Sequence, residues 1–92
     1  MEIAKRVISG ILQKNYQVGE IDDAIFIPLI KAGIEDSGSE DTQKALYDHA
    51  LTEFINIWIE FAKEYEGVNF DLEYERKEAK EAFLAYWNQS EF

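Results

Sequence analysis

The longest periodic stretch of the chain reads LYDHALTEFINIWIEFAKEYEG and covers residues 46–67. At 100° per residue, its apolar side chains fall on one side, in an arc of about half the circumference. The members of this arc are Leu46, Tyr47, Ala50, Leu51, Phe54, Ile57, Trp58, Phe61, Ala62 and Tyr65. Because a single neighbouring helix cannot cover so wide an arc, the stretch predicts a long central helix that packs against several others.

A polar loop at residues 35–41 precedes this helix and offers three competing N-caps. Ser37 followed by Glu40 has the spacing of a capping box, and Ser39 and Asp41 are the alternatives. Gly67 marks the end of the helix, because glycine readily adopts the left-handed conformation that follows many helix C-termini.

Two shorter helices are predicted before this loop. Residues 2–14 repeat apolar side chains every four positions, and a turn at Gly19 follows. The second helix covers residues 22–32, with Asp22 as its N-cap and Gly33 as its stop. Pro28 removes one hydrogen bond and clashes with the preceding turn, so we expect a kinked or two-part helix. The alternative is an extended segment over 24–27 with a short helix from Pro28.

A fourth helix is predicted over residues 71–88, with Leu72, Ala79, Phe83 and Tyr86 on its inner face. The alternation of apolar and polar residues over 68–75 also fits a β-strand. No convincing partner strand is present, and an isolated strand cannot satisfy its backbone, so a short extended entry into the helix reconciles both patterns. The sequence therefore predicts one all-α domain over residues 1–92, a small bundle of about four helices with one long central helix.

The net charge excludes several classes of function. The chain has 92 residues with 19 acidic and 9 basic side chains, a net charge of -10. Nucleic acids and anionic membrane surfaces are bound through basic patches, so neither is an expected partner, whereas basic proteins are. With no cysteine, no visible signal peptide and no apolar stretch of membrane-spanning length, a cytoplasmic protein without disulfides is expected.

The negative charge is concentrated in the middle of the chain. Residues 1–19 carry a net charge of +2, residues 20–75 a net charge of -12, and residues 76–92 are neutral. We therefore expect the acidic side chains of the central segment to form a partner-binding surface. These side chains are Asp22, Asp23, Glu35, Asp36, Glu40, Asp41, Asp48, Glu53, Glu60, Glu64, Glu66, Asp71, Glu73 and Glu75.

On the long helix the acids form two rows, one on the flank of the apolar arc and one on the solvent side. The rows are Glu53, Glu60 and Glu64, and Asp41, Asp48 and Glu66. Four residues of a helix rise about 6 Å and seven about 10.5 Å, whereas DNA rises about 3.4 Å per phosphate on each strand. The rows can therefore stand in for every second or third phosphate. The alternative is a solvated surface that only keeps the domain soluble.

This stretch resembles the small acidic phage antirestriction proteins that mimic DNA, the Ocr and Arn type. The resemblance rests on size, net charge, the acidic and aromatic helix over 53–65, and the following EGVNFDLEYE at 66–75. That segment is similar to a Gly-aliphatic-acidic-Leu-Glu-aromatic-Glu stretch of the Ocr type. The basic start and neutral end depart from an all-acidic mimic. The resemblance implies a host nuclease or another DNA-binding protein as the target, and often a dimer.

The residues that catalysis or metal binding would require are sparse. His49 is the only histidine, and we expect it at the surface or beside a cap rather than as a catalytic base. No phosphate loop, nucleophile elbow or Glu-x-x-His pair is present, and the loop at 36–41 lacks the ligand pattern of an EF-hand. The sequence therefore predicts no enzymatic activity, no cofactor and no metal.

The aromatic side chains exceed what a core of this size accommodates. Trp58, Trp87 and Phe26 cannot all be buried easily in 92 residues, so we expect some of them to form a self-association surface. The sequence thus predicts a homodimer that inhibits a basic DNA-binding protein or nuclease by occupying its DNA-binding groove. The alternatives are an immunity protein or antitoxin that neutralises a basic toxin, and a non-enzymatic adaptor or structural subunit.

Overall fold

The computed structural model describes residues 2–17 and 23–89, with side chains described outside 14–17 and 23–25. Four α-helices follow one another: α1 (Glu2–Gln17), α2 (Asp23–Glu35), α3 (Glu40–Glu66) and α4 (Leu72–Gln89), with a 3-10 turn (Gly67–Asn69) between the last two. No β-strand occurs in these residues. The predicted all-α bundle around one long central helix is confirmed.

Helices α3 and α4 form an antiparallel hairpin. Tyr47 near the start of α3 contacts Trp87 near the end of α4, with ring centroids 4.8 Å apart. Further along α3, Phe54 meets Phe83 at 5.5 Å, earlier in α4. Because later residues of α3 meet earlier residues of α4, the two helices run in opposite directions along their shared face.

Helices α1 and α2 cover only part of this hairpin. The end of α2 lies at the start of α3, where the Gln43 amide Nε2 donates to the Glu35 carbonyl at 3.3 Å. The 13 residues of α2 span about 20 Å and the 27 residues of α3 about 40 Å. The last third of α3 therefore extends past α2, and there Phe61 is 42% and Tyr65 94% exposed.

The core lies where all four helices meet. Its buried side chains are Ile8, Leu12, Ile27, Ile30, Ile34, Leu46, Ala50, Phe54, Ala79 and Phe83. Each isoleucine, leucine or phenylalanine side chain among them stabilises the fold by about 1.5–3 kcal/mol when fully buried. The core thus ties the two shorter helices to the N-terminal half of α3 and the C-terminal half of α4.

The predicted limits of α3 are confirmed, and one of its competing caps is selected. Ser39 is the N-cap, because its Oγ accepts the Thr42 N–H at 3.3 Å, while the Ser37 hydroxyl donates to the Ile34 carbonyl. Gly67 ends the helix with φ at 57°. The capping box at Ser37 is therefore wrong.

The predicted inner face of α3 is correct over its first half and only in part beyond it, where Ala62 is buried as expected. Leu46, Ala50 and Phe54 are buried as expected, but Phe61 and Tyr65 are exposed and Ile59 is buried instead. Burial differs because the neighbours of α3 change along its length. Near Leu46 the inner face of α3 meets α1 and α2, whereas at the far end only α4 lies beside it.

Helix α2 is one continuous helix through Pro28, so the two-part form of the predicted helix is wrong. Helix α2 continues through Pro28 and past Gly33 to Glu35, so the extended alternative over 24–27 and the stop at Gly33 are both wrong. A proline inside a helix costs about 3 kcal/mol or more, and the three buried isoleucines on this helix, at about 1.5–3 kcal/mol each, offset it. The predicted cap Asp22 and turn at Gly19 lie outside the described residues.

The strand alternative over 68–75 is also wrong. A 3-10 turn follows Gly67, and Asp71 then caps α4, because its Oδ1 accepts the Tyr74 N–H at 3.2 Å. Leu72 and Tyr74 are both exposed, so the alternation of apolar residues does not correspond to burial. The polar residue Asp71 decides the local structure, since a capped helix satisfies backbone groups that a lone strand cannot.

Candidate functional site

The exposed acids of the central segment lie in two clusters at opposite ends of α3. The first, which we call the turn cluster, surrounds the α2–α3 connection, and the second, the hairpin cluster, surrounds the α3–α4 connection. The turn cluster is Glu35, Asp36, Glu40, Asp41 and Asp48, and the hairpin cluster is Glu60, Glu64, Glu66, Asp71 and Glu73. All of these side chains are exposed except Glu66, which is half-buried.

The turn cluster is held in place by a compact loop. Gly38 has φ at 105°, a left-handed conformation that glycine adopts without strain. The Gln43 amide donates to the Gly38 carbonyl at 3.0 Å and to the Glu35 carbonyl at 3.3 Å, which joins the two helix ends. The backbone of the loop is therefore fixed, and its acidic side chains project from a defined position.

Internal ion pairs neutralise few of these acids. Among the side chains that the structure describes, Lys31 pairs with Glu35 at 3.9 Å and Lys63 pairs with Glu60 at 3.6 Å. Both are long contacts of partly exposed groups, which contribute at most about 1 kcal/mol each. Both clusters therefore retain most of their negative charge, and they create a negative potential around each end of the bundle.

The middle of α3 separates the two clusters. From Asp48 to Glu60 the helix rises about 18 Å, and Glu53, the one acid between them, is half-buried. This distance is close to five successive base-pair rises of duplex DNA at about 3.4 Å each. Each of the two predicted rows is therefore interrupted along α3, because Glu53 of the first row and Glu66 of the second are half-buried.

Glu75 is not part of the acidic surface. It is only 5% exposed, and its Oε2 accepts a hydrogen bond from the Trp58 indole N–H at 2.8 Å. Glu75 lies four residues before the buried Ala79 and therefore on the same inner face of α4. The prediction that Glu75 contacts a partner is corrected, because burial between α3 and α4 removes its carboxylate from solvent.

Glu66 is the other carboxyl group of this internal site. A hydrogen bond to Glu75, partial loss of solvent, and the negative charges of Glu75 and Asp71 together raise the pKa of Glu66 above its ordinary value of 4.5. A proton on Glu66 relieves its repulsion with the neighbouring carboxylates. The sequence did not predict this internal site, because the spacing of Trp58 and Glu75 along the chain does not identify them as neighbours.

The single histidine is a packing residue rather than a surface one, which corrects its predicted position. His49 is half-buried between α3 and α1, where its Nε2 lies 3.1 Å from the Lys5 carbonyl and 2.7 Å from the Ser9 Oγ. A protonated Nε2 donates to the Lys5 carbonyl, and an unprotonated Nε2 accepts from the Ser9 hydroxyl, so the tautomer decides which contact is the hydrogen bond. Either contact holds α1 against α3.

Of the aromatic residues predicted for self-association, Trp58 and Trp87 pack against the core. Trp87 is half-buried against Tyr47 and Phe83, and the Lys31 ammonium lies 5.5 Å from the centre of its ring. Trp58 is half-buried above Glu75, and Phe26 is also half-buried. The most exposed of the large apolar side chains that the structure describes are instead Val68 and Tyr65.

Within residues 2–17 and 23–89, no helix is both long and apolar enough for a membrane span, and no group of three or more potential ligands is arranged to hold a metal ion. No family model, curated protein sequence or solved structure matches this chain. The resemblance to the phage DNA mimics therefore stays a prediction.

Proposed function

We propose that this protein is a non-enzymatic inhibitor that occupies the DNA-binding groove of a nuclease or another basic DNA-binding protein. The observation that carries this proposal is the turn cluster. It presents five exposed carboxylates on a backbone fixed by Ser39 and Gln43, and among the described side chains its ion pair is the 3.9 Å contact between Lys31 and Glu35. This is the charge pattern that a lysine- or arginine-rich groove binds.

The mechanism is competition with DNA. Lysine and arginine side chains of the target form charge-assisted hydrogen bonds with carboxylates in place of phosphates. The rise of about 10.5 Å from Asp41 to Asp48 matches about three phosphates along one strand. Since the attraction is between exposed charges, the complex weakens steeply as the ionic strength increases.

A capture experiment with a matched pair of variants tests the proposal. The immobilised protein is incubated with host lysate at low salt, and bound proteins are eluted with duplex DNA. The variant D41N/D48N removes two charges from the turn cluster, and E78Q/E81Q removes the same charge from α4. We expect wild type and E78Q/E81Q to capture DNA-binding proteins that DNA displaces, and D41N/D48N to lose most of that capture.

Other outcomes distinguish the alternative functions. A captured basic protein that duplex DNA does not displace would favour an immunity protein or antitoxin. Capture that is equal for wild type and D41N/D48N would favour an adaptor that docks through other residues. Either result, or a complex insensitive to salt, would contradict the competition mechanism.

A further inference from the structure

Exposed apolar side chains gather where α3 and α4 are joined. Among the described residues, eight large hydrophobic side chains are exposed, and five of them lie between Phe61 and Tyr74. Four of these five form what we call the hairpin face, which consists of Phe61, Tyr65, Val68 and Leu72. A concentration of apolar surface of this kind on a small protein indicates an interaction site.

The hairpin face continues the surface through which α3 and α4 pack in the core. Phe54, Phe61 and Tyr65 are separated by seven and four residues, so they lie on the same side of α3. Their side chains are 0%, 42% and 94% exposed, in that order. On α4, the exposed Leu72 lies seven residues before the buried Ala79 and shares its side of the helix. The face that packs in the core is therefore open to a further helix beyond the end of α2.

Acidic side chains border the hairpin face along one edge. Glu60 and Glu64 lie within about 100° of Phe61 on one side of α3, and both carboxylates are exposed. Trp58 lies on the other side of Phe61 and faces α4, since its indole N–H donates to Glu75 at 2.8 Å. The two acids therefore line the edge of the face that α4 does not cover.

Lys63 shows how this end of the bundle binds an ammonium group. Its Nζ lies 3.6 Å from the Glu60 Oε1 and 6.0 Å from the centre of the Phe70 ring. A cation between a carboxylate and an aromatic ring is attracted by both groups. Glu64 and the exposed Tyr65 offer a second carboxylate and ring, and among the described side chains no base forms an ion pair with Glu64.

We infer that the hairpin face binds a basic amphipathic α-helix of another protein. The apolar stripe of that helix packs on the hairpin face, and lysine or arginine side chains along one edge of the stripe pair with Glu60 and Glu64. The bases lie along this edge only, because Arg76, exposed and four residues after Leu72, borders the α4 side and repels them.

The charge of the hairpin cluster selects this occupant. A second copy that met the face through its own hairpin face would bring five carboxylates against five, with a large repulsion. Nucleic acids and anionic membranes are repelled by the same charges. Since about 18 Å of α3 separates Asp48 of the turn cluster from Glu60, this second surface goes beyond the proposed function and does not depend on it.

Binding of a designed peptide, followed by fluorescence anisotropy at low salt, tests the inference. The probe is a labelled peptide of about four helical turns, with leucines along one stripe and lysines along one edge of that stripe. Two control peptides carry glutamate in place of each lysine or serine in place of each leucine. We expect the protein to bind the probe at least about tenfold more tightly than either control.

Matched charge variants locate the binding site of the probe. E60Q/E64Q removes two charges from the hairpin cluster, and D41N/D48N removes two from the turn cluster. We expect E60Q/E64Q to raise the dissociation constant of the probe about tenfold and D41N/D48N to leave it within about threefold of wild type.

A pair of tyrosine variants tests the apolar part of the contact. Tyr65 and Tyr74 are both exposed, but Tyr74 lies about 160° from Leu72 around α4 and therefore away from the hairpin face. We expect Y65S to weaken binding of the probe about tenfold and Y74S to leave it within about threefold of wild type. Circular dichroism should show that both variants are folded.

Several outcomes would overturn the inference. Equal losses for E60Q/E64Q and D41N/D48N would reduce it to general attraction between opposite charges, and equal binding of the serine peptide would exclude the apolar contact. Self-association of the wild type that Y65S abolishes and the probe does not reverse would assign the face to a second copy. Capture of DNA-displaceable proteins, which tests the proposed function through D41N/D48N, is independent of each of these results.

Discussion

The hydrogen bond between Trp58 and the buried Glu75 predicts a measurable coupling free energy between these two residues. The indole Nε1 and the carboxylate Oε2 are 2.8 Å apart, and Glu75 is 5% exposed. Replacement of Trp58 by phenylalanine keeps a ring beside Phe54, whose centroid lies 5.9 Å from that of Trp58. The variant W58F therefore removes mainly the N–H donor and leaves a buried carboxylate without it.

The size of the effect follows from the charge of the acceptor. A hydrogen bond to a charged group contributes about 1.5–3 kcal/mol and one between neutral groups about 0.5–1.5 kcal/mol. We therefore expect W58F to lower the free energy of unfolding by about 2–3 kcal/mol in the wild-type background. In the E75Q background, where the acceptor is neutral, the loss should be about 1 kcal/mol smaller.

The variant E75Q also has a predicted effect of its own. Glutamine keeps an oxygen that accepts the Trp58 N–H, and it removes a buried negative charge beside Glu66. Because burial of a charge is costly unless it is fully paired, we expect E75Q to unfold at higher urea concentration than wild type at pH 7.

Urea unfolding followed by far-ultraviolet circular dichroism measures all four proteins of this cycle. Tryptophan fluorescence is unsuitable, since one of the two tryptophans is the residue replaced. The reasoning fails if W58F costs the same in both backgrounds, or if E75Q is destabilised as strongly as W58F. The first result would mean that the indole and the carboxylate contribute independently to stability, and the second that the charge of Glu75 stabilises the fold.

Three further substitutions test other features of the fold. Because the pKa of Glu66 is raised in the folded protein, the protonated Glu66 stabilises the fold fully below pH 4.5, and this stabilisation is lost as the pH rises through the folded pKa. In urea unfolding, E66Q should therefore flatten the gain in free energy of unfolding that wild type shows between pH 7 and pH 5. The exposed control E81Q should keep this gain. Lys31 donates to the Trp87 carbonyl at 3.0 Å, so K31M should lower the free energy of unfolding by about 1–2 kcal/mol, and a melting temperature equal to wild type would contradict this role. Gly67 has φ at 57° and ψ at -119°, so G67A should cost about 1–3 kcal/mol in thermal unfolding, whereas the same substitution at a helical glycine should not.

Gly33 is that helical glycine. It lies inside α2, and no atom lies within 4 Å of the position of a Cβ there. We expect G33A to raise the free energy of unfolding by about 0.5–1 kcal/mol, because alanine loses less conformational freedom in a helix. Equal effects of G33A and G67A would show that backbone conformation is not what distinguishes the two positions.

The number of helices and the limits of α3 follow directly from local sequence. The period of apolar residues, the Ser39 cap and the Gly67 stop are all encoded within a few residues of where they act. The two-part form of α2 that the sequence predicts at Pro28 does not occur, for the opposite reason. The cost of the proline is local, but three isoleucines buried against other helices offset it, and no local pattern shows that burial.

Side-chain exposure at the far end of α3 could not be predicted in this way. Periodicity shows which face of a helix is apolar, but not how far the neighbouring helices extend along it. Phe61 and Tyr65 belong to the same stripe as Phe54, and they are exposed because α2 is half as long as α3. Glu75 is the converse case, an acid on an apolar face that is buried because Trp58 supplies a donor.

The unequal lengths of the helices have a consequence for local opening of the native state. The stretch from Glu60 to Glu75 has few buried side chains and little cover beyond α3 and α4 themselves. Subglobal unfolding of such an end costs less free energy than unfolding of the four-helix region. Its backbone amides should therefore exchange with deuterium well before those around Ala50 and Phe83, and a protease should cut the chain there first.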